Sequence, residues 1–222
     1  MPYVGQTITE VFPTSISVDS ATIKGDTTIG DASAADKKIL FDGNAQDYHI
    51  GLDDSTDSLT IGLGSALGTT SHMVFDANGI ITKPLQPAFQ VRPASTQENL
   101  AVNSHTTIAF GTEIFDVNGD FASNTFTAPV TGKYMLTVSI YFNNLDISSN
   151  YYIIQFVTSN RNYDYVVDTS SKDEDEPYST YSVSALADMD ASDTAYINIF
   201  VSAGAAQADI STGSFFTGYL VA

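Results

Sequence analysis

Between residues 134 and 142 apolar side chains fall on every second position: Tyr134, Leu136, Val138, Ile140 and Phe142 alternate with Met135, Thr137, Ser139 and Tyr141. A two-residue period is the repeat of a half-buried β-strand, because successive side chains leave a pleated backbone on opposite sides. It does not fit a helix, whose buried stripe needs apolar residues three and four apart. The same habit runs through 151–157, 162–167, 181–186 and 194–201, and Thr, Ser, Ile, Val, Tyr and Phe dominate the chain. The fold class is therefore all-β, and strands at hairpin spacing predict a sandwich or jelly roll in the C-terminal region.

Residues 1–84 read differently. Short strand-like pieces at 21–24, 27–29, 39–42, 48–52, 59–63 and 72–76 are punctuated by Gly, Asp and Asn. With one or two large apolar side chains each, such pieces predict a fibrous β stalk in which several chains share a core. Pro84 and Pro87 mark the junction, since closely spaced prolines interrupt ladder pairing. The division is thus a stalk and attachment region, 1–84, and a head domain, 85–222. Phe-Asp-x-Asn-Gly occurs at 75–79 and 115–119, and Asn-Gly at its end predicts a hairpin tip in both places. Strands 196–201 and 215–222 are apolar on both faces, which predicts that another subunit covers one of them. Tyr196, Phe200, Phe216 and Tyr219 are the trimer-interface candidates.

Eight basic residues stand against 26 acidic ones, a formal charge of -18 spread over both regions. Nucleic acid is excluded as a partner, because a phosphate backbone needs a basic stripe. The start, Met1-Pro2-Tyr3-Val4-Gly5-Gln6, has neither the positive patch nor the apolar stretch of a signal peptide, and no run is apolar enough for membrane insertion. Synthesis in the cytoplasm is expected. Without Cys, disulfides and thiol catalysis are absent. His49, His72 and His105 belong to no ligand motif, and nucleophile elbows and phosphate-binding glycine loops are missing. Acidic clusters at 53–57, 173–176 and 188–193 are too common to single out a glycosidase pair and lack calcium-loop spacing. No enzyme is expected, and a polysaccharide depolymerase is the remaining enzymatic alternative.

From Ala88 onward the chain resembles the C1q-like domain, a trimeric jelly roll of the tumour-necrosis-factor superfamily. Four blocks carry the resemblance: Ala88-Phe89-Gln90-Val91-Arg92; Ile108-Ala109-Phe110 with Phe115-Asp116 and Gly119-Asp120-Phe121; Phe126-Thr127-Ala128-Pro129-Val130-Thr131-Gly132-Lys133-Tyr134; and Ser214-Phe215-Phe216-Thr217-Gly218-Tyr219-Leu220. Pro129 falls where a backbone donor is dispensable, and Gly132 is expected to permit the turn into the long strand. The family's Gly-Asp before the penultimate strand is here Ser192-Asp193, and a collagen-like stem is absent. The resemblance implies a ten-stranded-type head and a homotrimer. Some such proteins bind calcium near the trimer axis, so a calcium site without a location is implied and no other cofactor. Residues 41–54 and 59–65 resemble segments of structural proteins from aquatic bacteriophages.

The resulting expectation is a virion tail fibre or appendage. Its N-terminal region would meet other tail proteins, and its head would adhere to a host surface glycan or protein. A bacterial extracellular C1q-like adhesion module is the alternative. Loops tolerate change without harm to a core, so Asn143, Asn144, Asp146, Asn150, Asn160, Tyr163 and Tyr178 are the receptor-binding candidates. Residues 172–177 read as a mobile, solvated loop.

Overall fold

The computed structural model describes residues 19–170 and 172–222. Seventeen strands and no helix occur among them. The first five are β1 (Lys37–Phe41), β2 (Tyr48–Asp53), β3 (Ser58–Leu63), β4 (Ser71–Phe75) and β5 (Ile81–Thr82), an antiparallel meander in chain order. Four of the six short pieces read from the sequence lie within this sheet. The other two, 21–24 and 27–29, form no strand, and Ile23 and Ile29 are exposed. The ladder between β1 and β5 is completed within one chain, so interdigitation of chains is not what pairs these strands.

After residues 83–87 the chain builds a sandwich from β6 (Ala88–Arg92), β7 (His105–Thr107), β8 (Thr112–Asp116), β9 (Phe121–Ala122), β10 (Thr125–Thr127), β11 (Gly132–Leu145), β12 (Tyr151–Thr158), β13 (Asn162–Asp168), β14 (Glu176–Met189), β15 (Thr194–Ser202), β16 (Asp209–Ile210) and β17 (Phe215–Leu220). One sheet runs β14-β11-β17-β6-β8, with β16 beside β11; the other runs β13-β12-β15-β10-β9, with β7 beside β15. Strands β9 and β16 span two residues each, so ten longer strands carry the sandwich.

The core lies where the inward faces meet. Tyr134, Leu136, Val138, Ile140 and Phe142 of β11 are fully buried against Tyr152, Ile154 and Phe156 of β12 and Ile197 and Ile199 of β15. The expected inward set holds from Tyr134 to Phe142, and the alternation breaks at Asn144, whose φ of 53° leaves it exposed and turns Leu145 inward. At the centre Phe216 has no exposure; its ring is 4.9 Å from Phe89, 5.7 Å from Phe110 and 6.1 Å from both Phe121 and Phe156. Phe216 therefore joins the two sheets of one protomer and is not a subunit contact. The two-faced composition near the C-terminus misled because this ring belongs to the inward set, paired with Val138 and Val91. Gly218 follows on the same face, and a Cβ there would sit 2.6 Å from the Phe89 ring and 2.8 Å from Leu136.

The two Phe-Asp-x-Asn-Gly copies share local chemistry but not topology. Asp76 accepts hydrogen bonds from Asn78 N–H at 2.9 Å and Ile80 N–H at 2.8 Å, which closes the β4–β5 hairpin. Asp116 likewise accepts from Asp120 N–H at 3.0 Å and Phe121 N–H at 2.9 Å. There, however, the chain crosses from one sheet to the other, since β8 pairs with β6 and β9 with β10. Gly132 also differs from expectation. It opens β11, and a Cβ would strike Leu220 Cδ1 at 2.6 Å and Ala222 O at 2.7 Å, so close approach of the C-terminal strand demands it.

Ser192 has φ of 77°, the left-handed region where a side chain costs roughly 1–3 kcal/mol. Ser192→Gly is expected to raise stability by about 1 kcal/mol once glycine's extra backbone entropy is subtracted. Phe216→Ala is expected to cost about 3–5 kcal/mol through the cavity left between sheets. Urea unfolding monitored by tyrosine fluorescence checks both, with a midpoint shift in opposite directions.

Candidate functional site

Strand direction sorts the candidate residues by end. Ala88, Gly132 and Met189 lie at the end where the chain enters from residues 83–87; Leu145, Tyr151 and Glu176 lie at the distal end. Asn143, Asn144, Asp146, Asn150 and Tyr178 are all distal. Asn160 and Tyr163 are not: Asn160 Nδ2 donates to Asp188 O at 2.8 Å near the entry end, and Tyr163 pairs opposite Phe156 with its ring packed on the core. The sequence could not reveal this, because adjacent loops of an antiparallel sheet alternate between ends.

At the distal end, Glu98, Asn99, Asn144, Gln207 and Asp209 line an open cleft of about 390 Å³. Asp209 organises it, accepting from Asn99 N–H at 2.8 Å and Asn144 Nδ2 at 3.2 Å. Gln207 Nε2 donates to Asp175 at 2.8 Å, and Asp175 also accepts from Ile147 N–H at 3.0 Å. The 172–177 segment is thereby tied to two neighbours, and Lys172 pairs with Glu176 across one turn. Asp173, Glu174 and Asp175 are exposed, as a solvated loop requires, while Glu176 and Pro177 belong to β14. Glu98, Asn99, Gln207 and Asp209 were missed from sequence because β16 and the segment before β7 reach the site from distant positions; only a contact map reveals it.

Asp146 is 3% exposed and serves structure instead of a receptor. Its carboxylate accepts from Ala205 N–H at 2.5 Å and Ser148 N–H at 2.8 Å, while Tyr152 Oη accepts from Asp146 N–H at 2.9 Å. Burial works to raise its pKa, but the hydrogen bonds from Ala205 and Ser148 outweigh it and hold the carboxyl below its ordinary 3.8. Asn150 is exposed, with its N–H bonded to Ser202 O at 2.7 Å. Tyr178 is 70% exposed on the outer face of the β14 sheet, edge-on to Tyr141 at 6.2 Å.

That outer face is distinctive in a chain so acidic. Met135, Thr137, Ser139 and Tyr141 of β11 point outward beside Thr180, Ser182, Ser184 and Leu186 of β14 and Phe215, Thr217 and Tyr219 of β17. None is charged, and Leu186, Tyr219 and Phe215 are exposed. Of the proposed interface residues, Tyr219 lies here. Tyr196 and Phe200 lie on the outer face of the opposite sheet, where Phe200 packs on His105 at 5.0 Å and Tyr151 at 6.3 Å. The four candidates thus occupy two outer faces and the core.

The acidic clusters are spent on turns. Asp53 accepts from Ser55 N–H at 3.1 Å, Asp193 from Asp190 N–H at 2.8 Å, and Asp188 pairs with Arg161 at 2.7 Å. The Asp120 pKa is raised by burial first and then by the charge of Asp116, whose two oxygens each accept a backbone amide. Among the described residues no three His, Asp or Glu side chains converge as metal ligands.

Residues 88–221 match the family model described as C1q domain. The globular domain of zebrafish complement 1qA is 16% identical, with a TM-score of 0.46 over 62% of this chain and 98% of that one. Murine APRIL at pH 8.5 is 11% identical, with a TM-score of 0.43 over 61% and 99%. No curated protein matches.

Asp146→Asn is expected to destabilise the head by about 1–3 kcal/mol at neutral pH, since buried donors lose a charged acceptor. A carboxyl whose folded pKa is depressed contributes fully above its unfolded value and loses that contribution as pH falls through the folded one. The difference between wild type and variant should therefore be constant from pH 7 to about 5 and shrink below 3.8. Denaturant midpoints across that range check it; a difference that persists unchanged into strong acid would refute the role of the charge.

Proposed function

Because this chain belongs to the C1q domain family, we propose that it works as a homotrimeric binding protein of a bacteriophage particle, a tail fibre or appendage whose head adheres to the bacterial host. Domains of the C1q and tumour-necrosis-factor type form homotrimers and are typically non-enzymatic binding modules.

The observation that carries the homotrimer is the outer face of the β14-β11-β17 sheet, uncharged from Met135 to Tyr141 along β11, with Lys133 and Asp188 at its entry-end edge. Copies bearing a charge of -18 repel one another, and association is least opposed where no carboxylate is brought into contact. Tyr178, Leu186, Phe215 and Tyr219 supply the aromatic and aliphatic surface that interface centres favour. The distal cleft then supports adhesion. It lies opposite the end where the chain enters, it is held by strands and by hydrogen bonds between loops, and its amide and carboxylate groups suit the hydroxyls of a glycan or the backbone of a protein. Three copies convert weak single contacts into useful avidity. The virion setting is supported by the likeness of residues 41–54 and 59–65 to phage structural proteins and by a β-rich N-terminal region ahead of the head.

Light scattering coupled to gel filtration should give three times 23.7 kDa, about 71 kDa; a stable monomer would overturn the homotrimer. Fluorescently labelled protein should decorate host cells and compete with virus adsorption. Asn144→Ala with Gln207→Ala should reduce decoration about tenfold or more at unchanged mass, because each lost hydrogen bond of about 1 kcal/mol acts at three linked sites. Normal adsorption at saturating protein would count against the adhesive role.

A further inference from the structure

The five-stranded sheet of residues 37–82 is built inside out. Register sets Ile39, Ile50, Ile61 and Met73 in one row across β1 to β4, and the rows on either side contain Tyr48 and Phe75 on the same face. On this face Ile39, Phe41, Tyr48, Leu52, Leu59 and Ile81 are each between 43% and 56% exposed. The opposite face is closed over its centre, although Leu40 at its β1 edge is 39% exposed. His49, Asp53, Ser58 and Thr60 are buried there beneath the β3–β4 connection, which is fastened by Leu63 N–H to Thr70 O at 2.9 Å and by His49 Nδ1 to Gly64 O at 2.9 Å. Polar groups at the centre of the sheet are covered on that side, while most of its large apolar side chains stand on the other.

We infer that this apolar face is a second self-association surface, occupied by the equivalent faces of two further copies of the chain, separate from the contact made by the head. Its extent fits. Six large side chains about half exposed, with partly exposed neighbours, offer on the order of 800 Å², the share per partner of a standard interface and more than a typical monomer leaves bare. Its charge fits as well, because no carboxylate projects from it and its one ionised group, Lys37, is paired with Asp31 at 3.0 Å. The occupant follows from tethering: five residues, 83–87, separate β5 from β6. A head trimer thus holds three such faces at an effective concentration on the order of millimolar, a step that rests on the homotrimer reading above.

Hydroxyl-radical footprinting of the full chain, alongside its mass by light scattering, tests this. Wild type should run at the trimer mass with Phe41, Tyr48 and Met73 labelled several-fold less than in an Ile50→Asp, Ile61→Asp variant. That variant should keep the trimer mass through its head. Should the double change unfold the sheet, Leu52→Asp at the rim serves instead, with strand content checked by circular dichroism. A trimer whose Phe41, Tyr48 and Met73 label equally in wild type and variant would overturn this inference and leave the head trimer standing. A monomer in which these residues are labelled freely would overturn both. A monomer in which they are protected would show that the face is covered from within its own chain, and would also overturn it.

Discussion

The head depends on one packing arrangement, the convergence of Phe89, Phe110, Phe121, Phe156 and Phe216 between two sheets. Phe89 stacks on Phe126 at 4.7 Å and meets Phe216 edge-on, so rings from β6, β10 and β17 lock in a single cluster. Aromatic rings bury more area than other side chains and prefer such offset and edge contacts. The rest follows from that cluster. Gly218 must be bare because a ring occupies its Cβ position, and the crossover at 116–121 must be tight because it delivers Phe121 to the same place.

Acidity is handled locally. Asp76, Asp116, Asp146 and Asp209 each accept backbone amides in turns or between loops, where short-range hydrogen bonding satisfies the charge. A chain of net charge -18 thereby fixes these carboxylates in turns and between loops, and two broad sheet faces are left mostly uncharged. One is the outer face of the β14-β11-β17 sheet and the other is the apolar face of the 37–82 meander. Assembly through both would place the repelling groups at the rim, where solvent and salt screen them.

The same chemistry explains why functional residues were harder to find than the fold. A turn carboxylate and a ligand-binding carboxylate look alike in sequence, and Asp146 was taken for the second when its burial makes it the first. Asn143 and Asn144 were read as loop residues, but they belong to the last residues of the long alternating strand β11, whose distal end carries them to the cleft. Asn99, Gln207 and Asp209 were not singled out, since they come from segments whose local pattern says nothing about where they dock.

Sequence alone determined the all-β class, the inward set of β11, the position of β2, β3 and β4, and the C1q resemblance, because alternation and turn residues act over a few neighbours and are written into the chain directly. The tertiary structure decided which end of the sandwich each loop occupies, that Phe216 faces the core while Tyr219 faces outward, and that the second Phe-Asp-x-Asn-Gly joins two sheets when the first joins two strands of one. Those outcomes depend on strand order and on which face of each strand finds a partner. Both are set by long-range packing, for which a two-residue period gives two equivalent answers until the neighbouring sheet selects one.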